Sequence, residues 1–205
     1  MGNAVELAGV DLAWMSERNA TAMAFGHLEG RRLTVTAVLT GLTGLAAVSR
    51  ELLDRPGLAG VAIDAPLIIT NVSGQRDCER ALSREYGARK ASCHASNLGL
   101  YPDPASASLS DQLLGAGFEH LKPAGCRWQI ECYPHPAIIE LFDLPERLSY
   151  KKGTVRQRRE GQVKLCEMLA TLADAPVLAL DLNGADLPGP DRIDALSGNK
   201  GDVAN

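Results

Sequence analysis

The stretch of sequence that decides the fold is GVAIDAPLII, residues 60–69, an almost entirely apolar run interrupted by one acid, Asp64. Such a continuous run is typical of a strand buried on both faces, and strands of this kind lie inside parallel sheets. A carboxylate buried there without a partner would cost several kcal/mol. The stretch therefore predicts a central parallel strand that carries a functional acid.

Upstream of this strand, three strand-like segments are joined by short polar turns. Residues 5–14, VELAGVDLAW, are mostly apolar around a second acid, Asp11, and residues 20–28 form another apolar segment. Residues 33–39 alternate apolar side chains with threonine, which is the pattern of a half-buried strand. The tight turns predict an antiparallel meander, and residues 42–53 follow it with apolar side chains at helical spacing.

Downstream of residue 69 the pattern is less regular: residues 88–111 are rich in Ala, Ser, Pro and Gly and predict a long loop, and residues 111–115 are expected to open a helix. The remaining predicted elements are a charged helix over 75–86, a strand over 128–132, a helix over 156–172 and a short last strand over 177–180. We therefore predict a single domain over residues 1–205, with an insertion at about residues 75–125 after the fourth strand.

This order of elements predicts an α/β protein with a mixed sheet, in which an antiparallel meander of strands 1–3 is followed by parallel strands and flanking helices. A meander followed by helix-linked parallel strands is the ribonuclease-H-like arrangement. A Rossmann domain would instead alternate strand and helix from its start, which this chain does not do.

Composition limits the expected partners and compartment. The net charge of −4 excludes a chain that binds nucleic acid through overall positive charge, so such binding would need a local basic patch. Five cysteines, an odd number without a CxxC pair, predict free thiols in a reducing, cytoplasmic setting. We expect no membrane partner, because the apolar runs are shorter than the about 20 residues needed to cross a bilayer.

Asp11 and Asp64 share one feature, since each is a lone acid in an apolar strand and the two strands are expected to be neighbours. Two such carboxylates are best explained by a shared cation, and hard divalent ions such as Mg2+ or Mn2+ prefer oxygen ligands. Glu131 ends a third strand within QIECYPHP. It either points into the same cleft or is a solvated residue at the end of a strand.

Several motifs occur together in this chain: GVDLAW at 9–14, AIDAPL at 62–67, an Arg-x-Cys-Glu segment at 76–79, ECYPHPA at 131–137 and Tyr150-Lys151. With these motifs the sequence resembles a large microbial family of predicted ribonuclease-H-like nucleases, which is catalogued as a domain of unknown function, DUF429. The resemblance covers most of the chain, and AIDAPL followed by ECYPHPA is its most specific part.

The resemblance implies that the metal ligands are Asp11, Asp64 and Glu131. It adds Asp194 as a fourth catalytic acid, in the segment DRIDAL at 191–196, although SGNKG then replaces the apolar helix of the family pattern. The implied chemistry is phosphodiester hydrolysis of the two-metal type, in which ions about 4 Å apart activate a water and stabilise the leaving oxygen.

Basic residues near the acids are candidates for substrate binding. Arg76, Arg80 and Arg84 recur at i, i+4 and i+8, and Lys151 opens a second basic group. Beside an acidic cleft such side chains can bind phosphate oxygens, and elsewhere they form a solvated surface. His135, in YPHP, is either a general acid-base group or part of a rigid loop shaped by the prolines.

Three functions fit this pattern. The leading one is a metal-dependent nuclease that acts on DNA or RNA. The alternative is a catalytically degenerate nucleic-acid or nucleotide binding module of the same fold, which the divergent C-terminal motif favours. The third is a phosphotransferase of the actin-like or sugar-kinase type, but the glycine-rich phosphate loops of that class do not follow Asp11 or Asp64. The sequence leaves the oligomeric state open.

Overall fold

The computed structural model describes residues 4–13, 19–121, 126–151 and 153–182. Within these ranges the strands are β1 (Val5–Asp11), β2 (Thr21–Glu29), β3 (Arg32–Leu42), β4 (Leu58–Ile63), β5 (Glu119–His120), β6 (Trp128–Glu131) and β7 (Ala179–Asp181). The helices are α1 (Leu45–Leu53), α2 (Asp77–Tyr86), α3 (Ala105–Gly115), α4 (Pro134–Leu141) and α5 (Val155–Ala170), followed by a short 3-10 helix at Thr171–Asp174.

The strands form one mixed sheet in the order β5-β6-β4-β1-β2-β3-β7. The pairs β1–β2 and β2–β3 are antiparallel. The pairs β1–β4, β4–β6, β5–β6 and β3–β7 are parallel. The predicted mixed α/β fold, with an antiparallel meander followed by parallel strands and flanking helices, is confirmed.

β1 and β4 are adjacent, and their register brings Asp11 and Asp64 to the same edge. Val10 pairs with Ile63. The Asp64 N–H continues this ladder by donating to the Val10 carbonyl at 2.8 Å. Asp11 and Asp64 are the next residues of the two strands, so their carboxylates leave the sheet side by side.

The apolar core lies between the central strands and helices α1 and α3. Val48 and Leu52 of α1, spaced one helical turn apart, are fully buried, as are Leu109 and Leu113 of α3. Burying one such leucine stabilises the fold by about 2 kcal/mol. These two helices thus pack against the central strands of the sheet.

A glycine on β4, Gly60, permits the close approach of the Trp128 ring from β6. A Cβ atom at Gly60 would lie 2.1 Å from ring atoms of Trp128, its partner in the parallel ladder. Only a residue without a side chain fits this position. Any other residue at position 60 would force the Trp128 ring to move.

The structure differs from the sequence prediction in three local elements. β4 ends at Ile63, not at residue 69, because Pro66 has no N–H to continue a ladder. The third helix begins at Ala105, well before the predicted residue 111. The proline-containing YPHP segment is not a rigid loop: it begins α4, with Pro134 in the first turn, where a missing N–H costs nothing.

Two further features concern the predicted insertion and the membrane. The segment predicted as an insertion, at about residues 75–125, contains α2, α3 and β5. Across the described part of the chain, none of the helices has the length and apolar character needed to cross a bilayer.

Candidate functional site

Three predicted acids lie at one edge of the sheet, and we refer to Asp11, Asp64 and Glu131 as the acidic edge. Asp11 is the last residue of β1, Asp64 directly follows β4, and Glu131 is the last residue of β6. Because β1, β4 and β6 are parallel neighbours, their carboxyl ends emerge together. The carboxyl edge of such strands is where open α/β sheets bind ligands.

Asp11 and Asp64 converge on a single positive group, the ammonium of Lys151. The Lys151 Nζ atom lies 3.0 Å from Asp11 Oδ2 and 3.1 Å from Asp11 Oδ1. It lies 2.9 Å from Asp64 Oδ2. The Asp64 side chain is 21% exposed and that of Asp11 is 56% exposed, so the pair is open to solvent on the Asp11 side.

The electrostatics of this trio favour a charged lysine. Burial raises the pKa of the Asp64 carboxyl, and Lys151 opposes that rise without cancelling it. Burial also disfavours the charged form of Lys151, but the attraction of Asp11 and Asp64 outweighs it and raises the lysine pKa above its usual value. Lys151 therefore keeps its positive charge and acts as the counter-ion of both aspartates.

The third acid, Glu131, is held by Arg76. Arg76 Nη1 donates to Glu131 Oε2 at 2.8 Å, and Nη2 donates to Oε1 at 2.5 Å, which is the bidentate geometry of an arginine-carboxylate pair. The Leu67 N–H donates to the same carboxylate at 3.0 Å. Glu131 thus joins the loop after β4 to the end of β6, and its cation is Arg76.

Arg76 has a second acidic partner, which the sequence prediction did not include. Arg76 Nε donates to Glu79 Oε1 at 2.8 Å, and Glu79 is 3% exposed. Glu79 Oε2 accepts from the Ser96 and Arg76 N–H groups. Burial works against ionisation of Glu79, but these hydrogen bonds outweigh it and lower its pKa. The pattern Arg-x-x-Glu across a helix start, a capping-box spacing, was the available signal.

The three arginines predicted to bind substrate therefore occupy different settings. Arg76 is 13% exposed and pairs with both Glu79 and Glu131, so it ties the start of α2 to the end of β6. Arg80, 55% exposed, pairs with Asp77 and donates to the Gln75 carbonyl at 2.5 Å. Arg84 is exposed in the last turn of α2. Of these three side chains, the structure brings Arg76 to the acidic edge.

Lys151 is presented by an ordered segment that packs on α4 and α5. The Tyr150 ring lies 5.1 Å from the His135 ring, and the Tyr150 carbonyl accepts from Gln162 Nε2 at 3.3 Å. A Cβ atom at Gly161 would lie 2.5 Å from the Ser149 carbonyl oxygen. A glycine inside a helix usually has a packing reason, so Gly161 was detectable from sequence.

His135 and Tyr150 support the segment that carries Lys151. His135 is 7% exposed and lies between the rings of Tyr133 and Tyr150. Burial raises the pKa of Tyr150 to about 12, so its phenol stays neutral. Asp194, predicted as the fourth acid, lies outside the described residues.

The donor set at Asp11 and Asp64 suits a hard divalent cation. Mg2+ is commonly held by one or two carboxylates and keeps several of its waters, and the exposed side of Asp11 leaves room for them. In the ranges that the structure describes, no group of three or more His, Cys, Asp or Glu side chains is arranged as metal ligands. At this position the described residues offer two neighbouring carboxylates, Asp11 and Asp64, while Glu131 is paired with Arg76.

The fold and the site together define a class: a mixed α/β protein with paired aspartates at the carboxyl ends of adjacent central strands. The chain belongs to the family described as protein of unknown function, DUF429, whose model matches residues 9–197. A search of curated proteins gives no match.

Proposed function

We propose that the chain is a metal-dependent nuclease with a ribonuclease-H-like fold, which hydrolyses phosphodiester bonds in DNA or RNA. The sheet supports the fold assignment, because the order β3-β2-β1-β4-β6 has the antiparallel meander on one side and parallel strands on the other. Fold alone does not fix activity, so the argument for activity rests on the acidic edge.

The observation that carries the proposal is the convergence of Asp11 and Asp64 on one cation position. Both carboxylates lie within hydrogen-bond distance of the same nitrogen atom. Each comes from an adjacent, hydrogen-bonded strand, so the spacing is fixed by the sheet and not by a flexible loop. Because Asp11 and Asp64 already bind the Lys151 ammonium between them, a metal cation can bind the same carboxylates.

Asp11 and Asp64 are the residues that would hold Mg2+ or Mn2+. When bound, such an ion acts as a Lewis acid on a phosphoryl oxygen and lowers the pKa of a coordinated water. Asp64, the less exposed of the pair, anchors the site, while Asp11 faces the side from which a substrate would approach. Glu131, held by Arg76, keeps the loop after β4 against β6. We place Asp194 in this proposal only as the fourth acid that the family resemblance implies.

Basic residues next to the site would bind the substrate backbone. Lys151 is followed by Thr154, which caps α5, and by Arg156, Arg158 and Arg159 in the first turns of that helix. Lysine and arginine side chains near a helix start bind phosphate oxygens, and the helix dipole adds to the attraction. The segment that begins at Lys151 thus joins the cation position to a helix start with basic groups that attract polyanions.

The test is cleavage of a panel of single- and double-stranded DNA and RNA with Mg2+ or Mn2+. Asp64→Asn should reduce cleavage at least about a hundredfold, which corresponds to about 2.7 kcal/mol of activation free energy. The matched control is Asp174→Asn, which removes the same charge from an exposed position on the 3-10 helix. Equal loss in both variants, or no cleavage by the parent, would argue against the proposal.

A second candidate function is a catalytically degenerate binding module for nucleic acids or nucleotides. It is favoured by one observation: all three acids already have protein cations, Lys151 for Asp11 and Asp64, and Arg76 for Glu131. In that case the parent protein binds oligonucleotides but cleaves none of the panel with either metal. Binding with unchanged affinity after addition of EDTA would favour this second function.

A further inference from the structure

The Lys151 ammonium takes up the oxygen atoms that a cation at the acidic edge would need. It is within 3.1 Å of both oxygens of Asp11 and within 2.9 Å of Asp64 Oδ2. Mg2+ binds carboxylate oxygens at about 2.0–2.1 Å, closer than an ammonium does. An ion bound to the same oxygens would therefore lie almost in contact with the nitrogen.

Two cations cannot share this position. Like charges at such a separation repel strongly, and on the side of the less exposed Asp64 solvent screens this repulsion only in part. The two carboxylates can pair either with a divalent ion or with the lysine ammonium. Binding of one must therefore weaken the contacts of the other.

Backbone contacts of the residues that precede Lys151 hold this lysine at the site. The Tyr150 carbonyl is fixed by Gln162, and the segment lies so close to α5 that a side chain at Gly161 would collide with Ser149. The Arg147 N–H also donates to the Arg89 carbonyl at 2.9 Å, which ties the preceding residues to the segment that follows α2. A tethered ammonium has a high effective concentration at its target, so it competes well with a free ion.

We propose that Lys151 is a tethered competitor for the divalent cation: an ion binds Asp11 and Asp64 only when the Lys151 ammonium leaves them. Lys151 thereby sets the metal affinity of the site. This inference rests on the proposed function, because it assumes that a divalent ion binds at Asp11 and Asp64. It goes beyond that function by assigning the residue that the ion must displace.

The experiment is a titration of the purified full chain with Mn2+, followed by the electron paramagnetic resonance signal of the free ion. Lys151→Met keeps an unbranched side chain of nearly the same length and removes its charge, so the Mn2+ dissociation constant should fall about tenfold or more. Lys164→Met is the matched control, because it removes a lysine charge from an exposed position farther along α5. Its dissociation constant should equal that of the parent.

Gly161→Ala is an independent test of this competition, because it leaves Lys151 in the chain. The added Cβ would displace Ser149 and Tyr150, which lie 2.5 and 3.0 Å from it, and so would unseat the ammonium. We expect tighter Mn2+ binding here as well, with circular dichroism to check that each variant is folded.

The outcomes separate this inference from the proposed function. If the parent, Lys151→Met and Gly161→Ala bind Mn2+ with equal affinity, Lys151 is not a competitor, while the metal site itself stands. Weaker binding by Lys151→Met would also overturn the inference. If neither the parent nor Lys151→Met binds Mn2+ at millimolar concentration, the metal site is absent and the proposed function fails with it.

Discussion

Lys151 Nζ lies 2.9 Å from Asp64 Oδ2, although 87 positions separate the two residues in the chain. This contact joins the end of a central strand to the segment that precedes α5. It explains how the chain tolerates a carboxylate that is only 21% exposed beside a second one, because the ammonium supplies the missing charge. In the proposed function, this contact is also the point at which a metal ion would act.

The stability of the chain should depend on pH through Asp64. Burial raises the pKa of Asp64 in the folded state above its unfolded value, with Lys151 opposing the rise. Ionised Asp64 therefore reduces the free energy of unfolding at neutral pH, and that cost disappears as the pH falls through the raised pKa. Asp64→Asn should be at least as stable as the parent at pH 7, without added metal, and should lose this advantage near about pH 3.

Urea denaturation of parent and variant at both pH values measures this difference. A variant that is clearly less stable at pH 7 would contradict the expectation and would make Asp64 a hydrogen-bonded structural residue.

Arg76→Ala should destabilise the fold. It leaves Glu79, which is 3% exposed, without its cation, and it releases the bidentate pair with Glu131. Removing one partner of a buried ion pair costs about 3 kcal/mol or more. Chemical denaturation should show a lower midpoint for Arg76→Ala.

Arg80→Ala is the matched control for that experiment, since it removes an arginine from the same helix. The pair that it breaks is 55% and 93% exposed, so its midpoint should stay close to that of the parent. Equal midpoints for Arg76→Ala and the parent would mean that the contacts of Arg76 with Glu79 and Glu131 do not stabilise the fold.

The exposed arginines of α2 should contribute to nucleic-acid affinity in a salt-dependent way. If Arg80 and Arg84 bind phosphates, the double variant Arg80→Ala/Arg84→Ala should lower the slope of log affinity against log salt. For double-stranded DNA the slope should change by about 0.9 for each phosphate that the variant no longer neutralises. Fluorescence anisotropy at several salt concentrations measures the slope, and an unchanged slope would assign these residues to the solvated surface.

The sequence was sufficient to predict the strand pattern and to single out Asp11 and Asp64, but it placed both acids inside strands, whereas Asp11 ends β1 and Asp64 directly follows β4. Lone acids in apolar strands, Asp11 and Asp64, are a local signal, and strand order follows from the alternation of elements. The contact between Lys151 and these acids is not local, because it depends on how the segment after α4 returns across the sheet. No periodicity in the sequence encodes that return.

The contacts of Arg76 also could not be predicted from the sequence pattern. Its spacing with Arg80 and Arg84 predicts a common helix face, yet Arg76 precedes the first residue of α2 and turns toward Glu131. The position of a residue at a helix boundary decides its direction, and boundaries are the least certain part of a sequence prediction. The pairing of Arg76 with both Glu79 and Glu131 depends on the folded positions of these two acids.

The central claim is that Asp11 and Asp64 form a cation site for phosphodiester hydrolysis, and Asp11→Asn tests it most directly. The measurement is the Mn2+-dependent cleavage rate of the DNA and RNA panel, paired with the midpoint of unfolding without metal. Asn keeps the shape of the side chain and removes its charge. Because the Asp11 side chain is 56% exposed, its loss should change the midpoint little.

The account predicts that cleavage by Asp11→Asn falls to background while its unfolding midpoint stays that of the parent. Cleavage at the parental rate by Asp11→Asn would contradict the account, as would an unfolding midpoint that falls together with the activity.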